Sequence, residues 1–163
     1  KRPFGFSGRG QKRVSGVPAG PDRRWAEASM VEYGRGLLVE PFVLIDQEFA
    51  LHSWLGRDGQ CLTGQPTRLV TDDRGAWLGS ESGPELGGQE LTQLRVAHAV
   101  AARALAEVGY FGPFSTDAFR YQNGDGAMRF QPLSELNARY SMGFFVGLAD
   151  CLEEWGRRVA AQC

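Results

Sequence analysis

The feature that most constrains this chain is a helical stripe followed by two strand-like runs. Between Glu90 and Val108 the apolar residues Leu91, Leu94, Ala101, Leu105 and Val108 recur at three- and four-residue steps, and Gly109 follows. That spacing lines one face of an amphipathic helix, and a glycine just past the last apolar position is where such a helix stops. Phe114 to Tyr121 and Met128 to Asn137 then read as two strands around the turn Asn123-Gly124-Asp125-Gly126. A helix with one apolar face must bury it against such a pair, so the expected class is α+β built on antiparallel strands.

The rest of the chain fits the same plan. Asp22 and Gly34 bracket a short helix over Arg23 to Tyr33. Leu37 to Val43 is a short apolar run, and Gln47 to Leu55 alternates as a strand with Phe49, Leu51 and Leu55 on one side. After an Asp58-Gly59 turn, Thr67 to Thr71 and Ala76 to Leu78 read as a second hairpin around Asp72-Asp73-Arg74-Gly75, and Gly79 to Gly88 as loop. Ser141 to Ala160 reads as a final helix with Met142, Phe145, Ala149, Leu152 and Val159 inward. The 22 glycines concentrate in the turns, and no internal repeat is present.

With 163 residues and 42% hydrophobic content the chain can bury a core of its own. A net charge of -1 gives no global attraction to nucleic acid or to an anionic membrane, so any electrostatic function must be local. No apolar run is long enough to span a bilayer and no signal peptide is legible, which makes cytoplasmic localisation the default expectation. Cys61, Cys151 and Cys163 are far apart and read as plain thiols. The chain opens without methionine on Lys1-Arg2-Pro3-Phe4-Gly5, as though a strand were running into a loop, and reads as a fragment of a longer enzyme.

Three constellations carry chemistry. Glu135-x-Asn137 projects from one strand face, and Asp117 on the preceding strand can reach the same side. Two carboxylates and an amide oxygen suit a magnesium ion that keeps some water; the plainer reading is solvated polar residues at a sheet edge. Gly5-Phe6-Ser7-Gly8-Arg9-Gly10, preceded by Lys1, offers backbone N–H groups and a cation to phosphate oxygens, or else is a flexible connection. It matches neither the Walker nor the dinucleotide pattern. Val39-Glu40-Pro41-Phe42-Val43 followed by Glu48 offers an extended backbone for an adenine edge, apolar packing and an acid for ribose hydroxyls, although a core strand would need no ligand.

The order of these three, from Lys1 to Gly143, resembles the ATP-grasp superfamily of carboxylate-amine ligases. Glu135-Leu136-Asn137-Ala138-Arg139-Tyr140-Ser141-Met142-Gly143 is the most specific match. The resemblance implies an ATP-grasp fold of α+β class, an antiparallel sheet packed with helices and lacking the N-terminal part of the full enzyme. It implies residues 1–43 as the loop and hinge portion of a small lobe, and 44–163 as a large lobe with the metal site. Mg-ATP would lie between the lobes, with manganese able to replace magnesium. Lys1 would contact the phosphates and Gly5, Ser7, Gly8, Arg9 and Gly10 would cover them. Glu40, Phe42 and Val43 would form the adenine hinge and Glu48 would bind ribose. Asp117, Glu135 and Asn137 would be the metal ligands, with Arg139 neutralising the transferred phosphoryl group. The implied partners are a small-molecule carboxylate, a nucleophile and the remainder of the full-length chain. Two departures stand out: Ala138 occupies a position where many members have proline, and the interval from Asp117 to Glu135 is a few residues long for the pattern.

Rival readings remain at this point. The chain could be a non-catalytic ATP-binding or regulatory module of the same fold. Lys1, Arg2, Arg9, Lys12, Arg13, Arg23 and Arg24, interleaved with Phe4, Phe6 and Trp25, could bind nucleic acid, but acidic residues elsewhere cancel that charge. Arg120 and Arg139 could be ordinary surface arginines. His98 falls on the apolar stripe as a core histidine, and His52 shares the strand face of Glu48, Ala50 and Trp54; neither joins the site residues.

Overall fold

The computed structural model describes residues 1–2, 10–34, 36–72 and 76–161. They fall into two compact units, Lys1–Phe42 with Thr71–Trp77, and Val43–Val70 with Leu78–Cys163.

In the first unit, helix α1 runs over Gly20–Tyr33 and ends where Gly34 turns left-handed at φ 59°. It starts earlier than the sequence suggested because Pro21 and Asp22 belong to its first turn, where a missing N–H costs nothing and a carboxylate faces the positive end of the helix. Ser29 is fully buried, accepting from Arg2 Nε at 2.9 Å and donating to the Trp25 carbonyl at 2.7 Å. The run from Leu37 to Val43 is not a core strand. Residues 36–43 have no regular secondary structure, and Leu38, Val39 and Phe42 are exposed.

The second unit is built on a six-stranded sheet: β1 (Leu44–Leu55), β2 (Cys61–Thr63), β3 (Thr67–Thr71), β4 (Trp77–Ser82), β5 (Gly112–Gln122) and β6 (Met128–Asn137). The order is β4-β3-β1-β5-β6, with β2 also paired to β1. β1 pairs antiparallel with β2, β3 and β5, and β5 pairs antiparallel with β6. Strand β2 was not legible in the sequence. It forms because the turn at Gly59 (φ 78°), braced by Asp58 Oδ1 accepting the Gln60 N–H at 3.0 Å, folds the chain back onto the end of β1. Strand β4 extends to Ser82, into a stretch read as loop.

Alternation along β1 gives the sheet two faces. Phe49, Leu51 and Leu55 are 0–1% exposed and pack with Leu94, Ala102, Leu105, Phe114 and Ala118. This is the face covered by α2 (Gly88–Glu107), whose first turn is capped by the Glu90 carboxylate accepting the Gly87 N–H at 2.9 Å. The buried stripe of α2 runs through His98 and Ala102, while Val108 caps the helix end and is 79% exposed, so it is not part of the core.

On the other face Trp54 packs with Phe144 and Leu148, against which Trp155 and Val159 also lie. The segment expected as one long helix is broken into α3 (Phe144–Gly147), a 3-10 turn (Ala149–Cys151) and α4 (Leu152–Ala160). The break changes the inward phase. Phe144 and Leu148 are buried, whereas Met142, Phe145 and Leu152, expected inward, are 60%, 56% and 38% exposed, and Ala149 is exposed too; Val159 does pack inward.

Candidate functional site

Residues Glu48, Ala50, His52 and Trp54 alternate onto the sheet face opposite α2. The β1–β5 register places Asp117 across from Ala50, and the β5–β6 register places Glu135 across from Asp117 and Asn137 across from Ser115. Directly paired residues share a face, so Asp117, Glu135 and Asn137 meet there. A register irregularity in the β5–β6 pair lies beside the cluster, between Asp117 and Phe119 on β5.

Asn137 is the hinge of the cluster. It is 8% exposed, its Nδ2 donates to Asp117 Oδ2 at 3.1 Å, and its Oδ1 accepts from Arg139 Nη2 at 2.9 Å. Arg139 also donates from Nη1 to the Tyr140 carbonyl at 3.2 Å. Burial pushes the Asp117 carboxyl up to about 7; the Glu135 and Glu48 carboxylates push the same way, against the Asn137 hydrogen bond and the Arg139 charge. The Asn137 hydrogen bond and the Arg139 charge therefore do not offset burial and the neighbouring carboxylates at Asp117.

This donor set fits a hard divalent cation. Two carboxylates and an amide oxygen are the oxygen ligands magnesium takes, and a cation would offset the burial and the carboxylate repulsion that raise Asp117. Among the described residues no three His, Cys, Asp or Glu side chains converge closely enough to hold a metal by themselves. The third ligand must come from Asn137, whose oxygen would exchange its bond to Arg139.

In the first unit, the Lys1 ammonium pairs with Glu40 Oε2 at 2.6 Å, and the Leu38 N–H donates to the Lys1 carbonyl at 3.0 Å. Two of the expected nucleotide contacts, Lys1 and Glu40, are thus neighbours. Gly10, at φ 80°, accepts the Arg2 N–H at 2.8 Å through its carbonyl. Gly5, Ser7, Gly8 and Arg9 lie outside the described residues. Phe42 is exposed, with the Arg13 guanidinium 3.5 Å over its ring. Val43 and Glu48 belong to the second unit and are half-buried.

Arg120 is not a site residue. It lies on the α2 face, where it donates from Nε and Nη2 to the two Glu90 oxygens at 2.9 and 2.7 Å. His98 is the satisfied core histidine its position suggested. Its ring bridges Ser53 Oγ at 2.6 Å and Thr116 Oγ1 at 2.7 Å and stacks on Phe114 with centroids 4.6 Å apart. Sequence reasoning left His52 out of the site residues, yet it is 1% exposed on the carboxylate face and meets Ser141 Oγ at 3.0 Å. The signal was available, because His52 shares the alternation of Glu48.

No protein-family model matches the chain, and no curated protein matches it in sequence. Its fold, in contrast, has solved counterparts. It is similar to Campylobacter jejuni biotin carboxylase in a β,γ-ATP complex, with TM-score 0.61 and 19% identity over 89% of this chain and 32% of that one. It is similar to Rhizobium etli pyruvate carboxylase, with TM-score 0.63 and 15% identity over 90% of this chain and 13% of that one. A third likeness is to carboxyaminoimidazole ribonucleotide synthase from Aspergillus clavatus complexed with ATP, with TM-score 0.51 and 16% identity over 85% and 33%. The chain spans about a third of the length of the biotin carboxylase and of the synthase.

Proposed function

Starting from an ATP-grasp fold, which is the fold of this chain, we propose that the protein is the nucleotide- and magnesium-binding part of an ATP-dependent ligase that activates a carboxylate for attack by an amine or similar nucleophile. The observation that carries this reading is the register of β5 and β6, which gathers Asp117, Glu135 and Asn137 on one face and continues into Arg139. A buried carboxyl set directly beside a second carboxylate is expensive to keep in a merely structural sheet.

Asp117, Glu135 and the Asn137 amide oxygen would hold magnesium, which when bound supplies charge neutralisation for ATP phosphate oxygens. Lys1 would add a compact cation for phosphate oxygens in exchange for Glu40, and the glycine-rich segment that ends at Gly10 would offer them backbone N–H groups. Glu40, Phe42 and Val43 take the adenine and Glu48 the ribose hydroxyls. Arg139 faces the transferred phosphoryl group, where a guanidinium stabilises the charge spread over the equatorial oxygens.

In the reaction, a substrate carboxylate oxygen forms a bond to the γ-phosphorus as the bond to the ADP oxygen breaks. The nucleophile then attacks the acyl carbon and phosphate leaves with the electron pair of the C–O bond. Alignment and charge stabilisation carry such a transfer without a protein nucleophile. The test is ADP release from Mg-ATP against a panel of carboxylates with and without amines, together with hydroxylamine trapping of the acyl phosphate. Carboxylate-dependent ADP release with hydroxamate formation is expected. ATP binding with no release for any pair would reduce the protein to a nucleotide-binding module.

A further inference from the structure

His52 lies in the middle of β1 on the carboxylate face, 1% exposed, with both ring nitrogens facing hydroxyls: Nδ1 is 3.0 Å from Ser141 Oγ and Nε2 3.4 Å from Thr67 Oγ1. A hydroxyl can donate or accept, so a neutral imidazole is satisfied in either tautomer. Burial keeps the ring neutral by drawing its pKa down to about 4.

Two glycines let backbone close onto this ring, and a third lets backbone close onto Gly147 behind it. A Cβ at Gly143 would lie 2.9 Å from His52 Nε2 and 2.6 Å from Ser80 Oγ; one at Gly147 would lie 2.5 Å from His52 Cδ2. A Cβ at Gly64 would lie 2.1 Å from the Gly147 carbonyl oxygen, and the carbonyls of His52 and Gly147 accept the N–H groups of Gly64 and Gln65 at 3.0 and 2.8 Å. The segment after β6 is thus held at Ser141 by a side chain and at Gly147 by backbone.

Arg139, by contrast, is exposed, and its hydrogen bonds among the described residues go to its neighbours Asn137 and Tyr140. Both hydrogen bonds are to residues within two positions of it in sequence, so its place depends on the backbone that carries it. That backbone has two anchors: Asn137 in β6, and Ser141 tied to His52.

We infer that His52 is a positioning residue, which through Ser141 and the glycines packed on its ring sets the path of residues 138–147 and so presents Arg139 beside the Asp117 and Asn137 pair. The inference rests on the ligase reading for its catalytic consequence but not for the tie itself. A histidine serving only as core filler would cost stability when replaced, without reaching the path of Arg139.

The variants are Ser141→Ala, His52→Leu and His52→Asn, the last keeping an amide group where Nδ1 stood. Backbone hydrogen exchange over residues 138–147 should quicken about fivefold to tenfold in S141A and H52L, the equivalent of one lost hydrogen bond, while the central amides of β1 and β5 hold their protection. ATP turnover should fall about 10–100-fold in the same variants, as sub-ångström misplacement costs, with KM for ATP within about twofold, and H52N should recover most of kcat. Unchanged exchange over 138–147 in both S141A and H52L would overturn the tie. Quickened exchange with wild-type kcat, or an H52N as slow as H52L, would overturn the positioning role. If the wild-type protein turns over no ATP, the ligase reading falls and the exchange data still decide whether His52 holds the segment.

Discussion

Glu135 stands directly across the β5–β6 pair from Asp117, which puts two carboxylates of neighbouring strands side by side on one sheet face. Asp117 holds a proton up to about pH 7 in the folded protein, against 3.8 for the ordinary carboxyl. The folded state therefore binds more protons than the unfolded one between those values, and this group's contribution to stability declines as pH rises through that window. In EDTA, Asp117→Asn should remove the decline, so that its melting temperature gains on wild type by several degrees between pH 4 and pH 8. A constant offset across that range would show that Asp117 is not held protonated.

The histidines work with the opposite sign. Burial draws His52 and His98 down to about 4, below the ordinary 6.5. Their stabilisation is complete above pH 6.5 and is lost as pH falls towards 4, because the unfolded chain takes up the protons first. His98→Leu should flatten part of that acid loss in urea titrations. At pH 8 it should cost about 2–4 kcal/mol, since Ser53 and Thr116, both 0% exposed, lose a partner. Wild-type stability at pH 8 would contradict the bridging role.

Two arginines separate structure from chemistry. Arg120 makes a two-point contact with Glu90, both about a fifth exposed. Arg120→Met should destabilise by about 1–3 kcal/mol and leave the kcat of the folded fraction near wild type. Arg139→Ala should do the reverse, with turnover down about a hundredfold or more and a melting temperature within about two degrees. Steady-state kinetics and thermal melts on the pair decide it.

Gly64 is the tightest contact in the second unit, because an added Cβ would meet backbone rather than a movable side chain. Gly64→Ala should cost about 3 kcal/mol or more by forcing the β2–β3 connection away from α3. A urea midpoint equal to wild type would show that the two segments are not packed as described.

What the sequence disclosed follows from how local each signal is. The alternation of β1, β5 and β6 and the stripe of α2 repeat over several residues, and these elements lie where their patterns put them. Strand β2 has three residues and no pattern of its own; only pairing with β1 makes it a strand. The final helix misled because Gly143 and Gly147 are fixed by contact with His52, more than 90 residues away, and the resulting break shifted the buried phase to Phe144 and Leu148. At the site, Glu135 and Asn137 could be put on one face from their spacing alone. The link from Asn137 to both Asp117 and Arg139, and the burial that raises Asp117, needed the register between strands.

The most direct measurement is isothermal calorimetry of ATP binding with and without magnesium, on wild type and on Glu135→Gln and Asn137→Ala. Wild type should bind Mg-ATP at least about tenfold more tightly than ATP in EDTA, the mark of a metal bridging protein and phosphate oxygens. Both variants should lose that magnesium dependence while keeping the wild-type fold by circular dichroism. Magnesium-independent ATP binding in the wild type, or an undiminished magnesium effect in both variants, would contradict the metal site on the β5–β6 face.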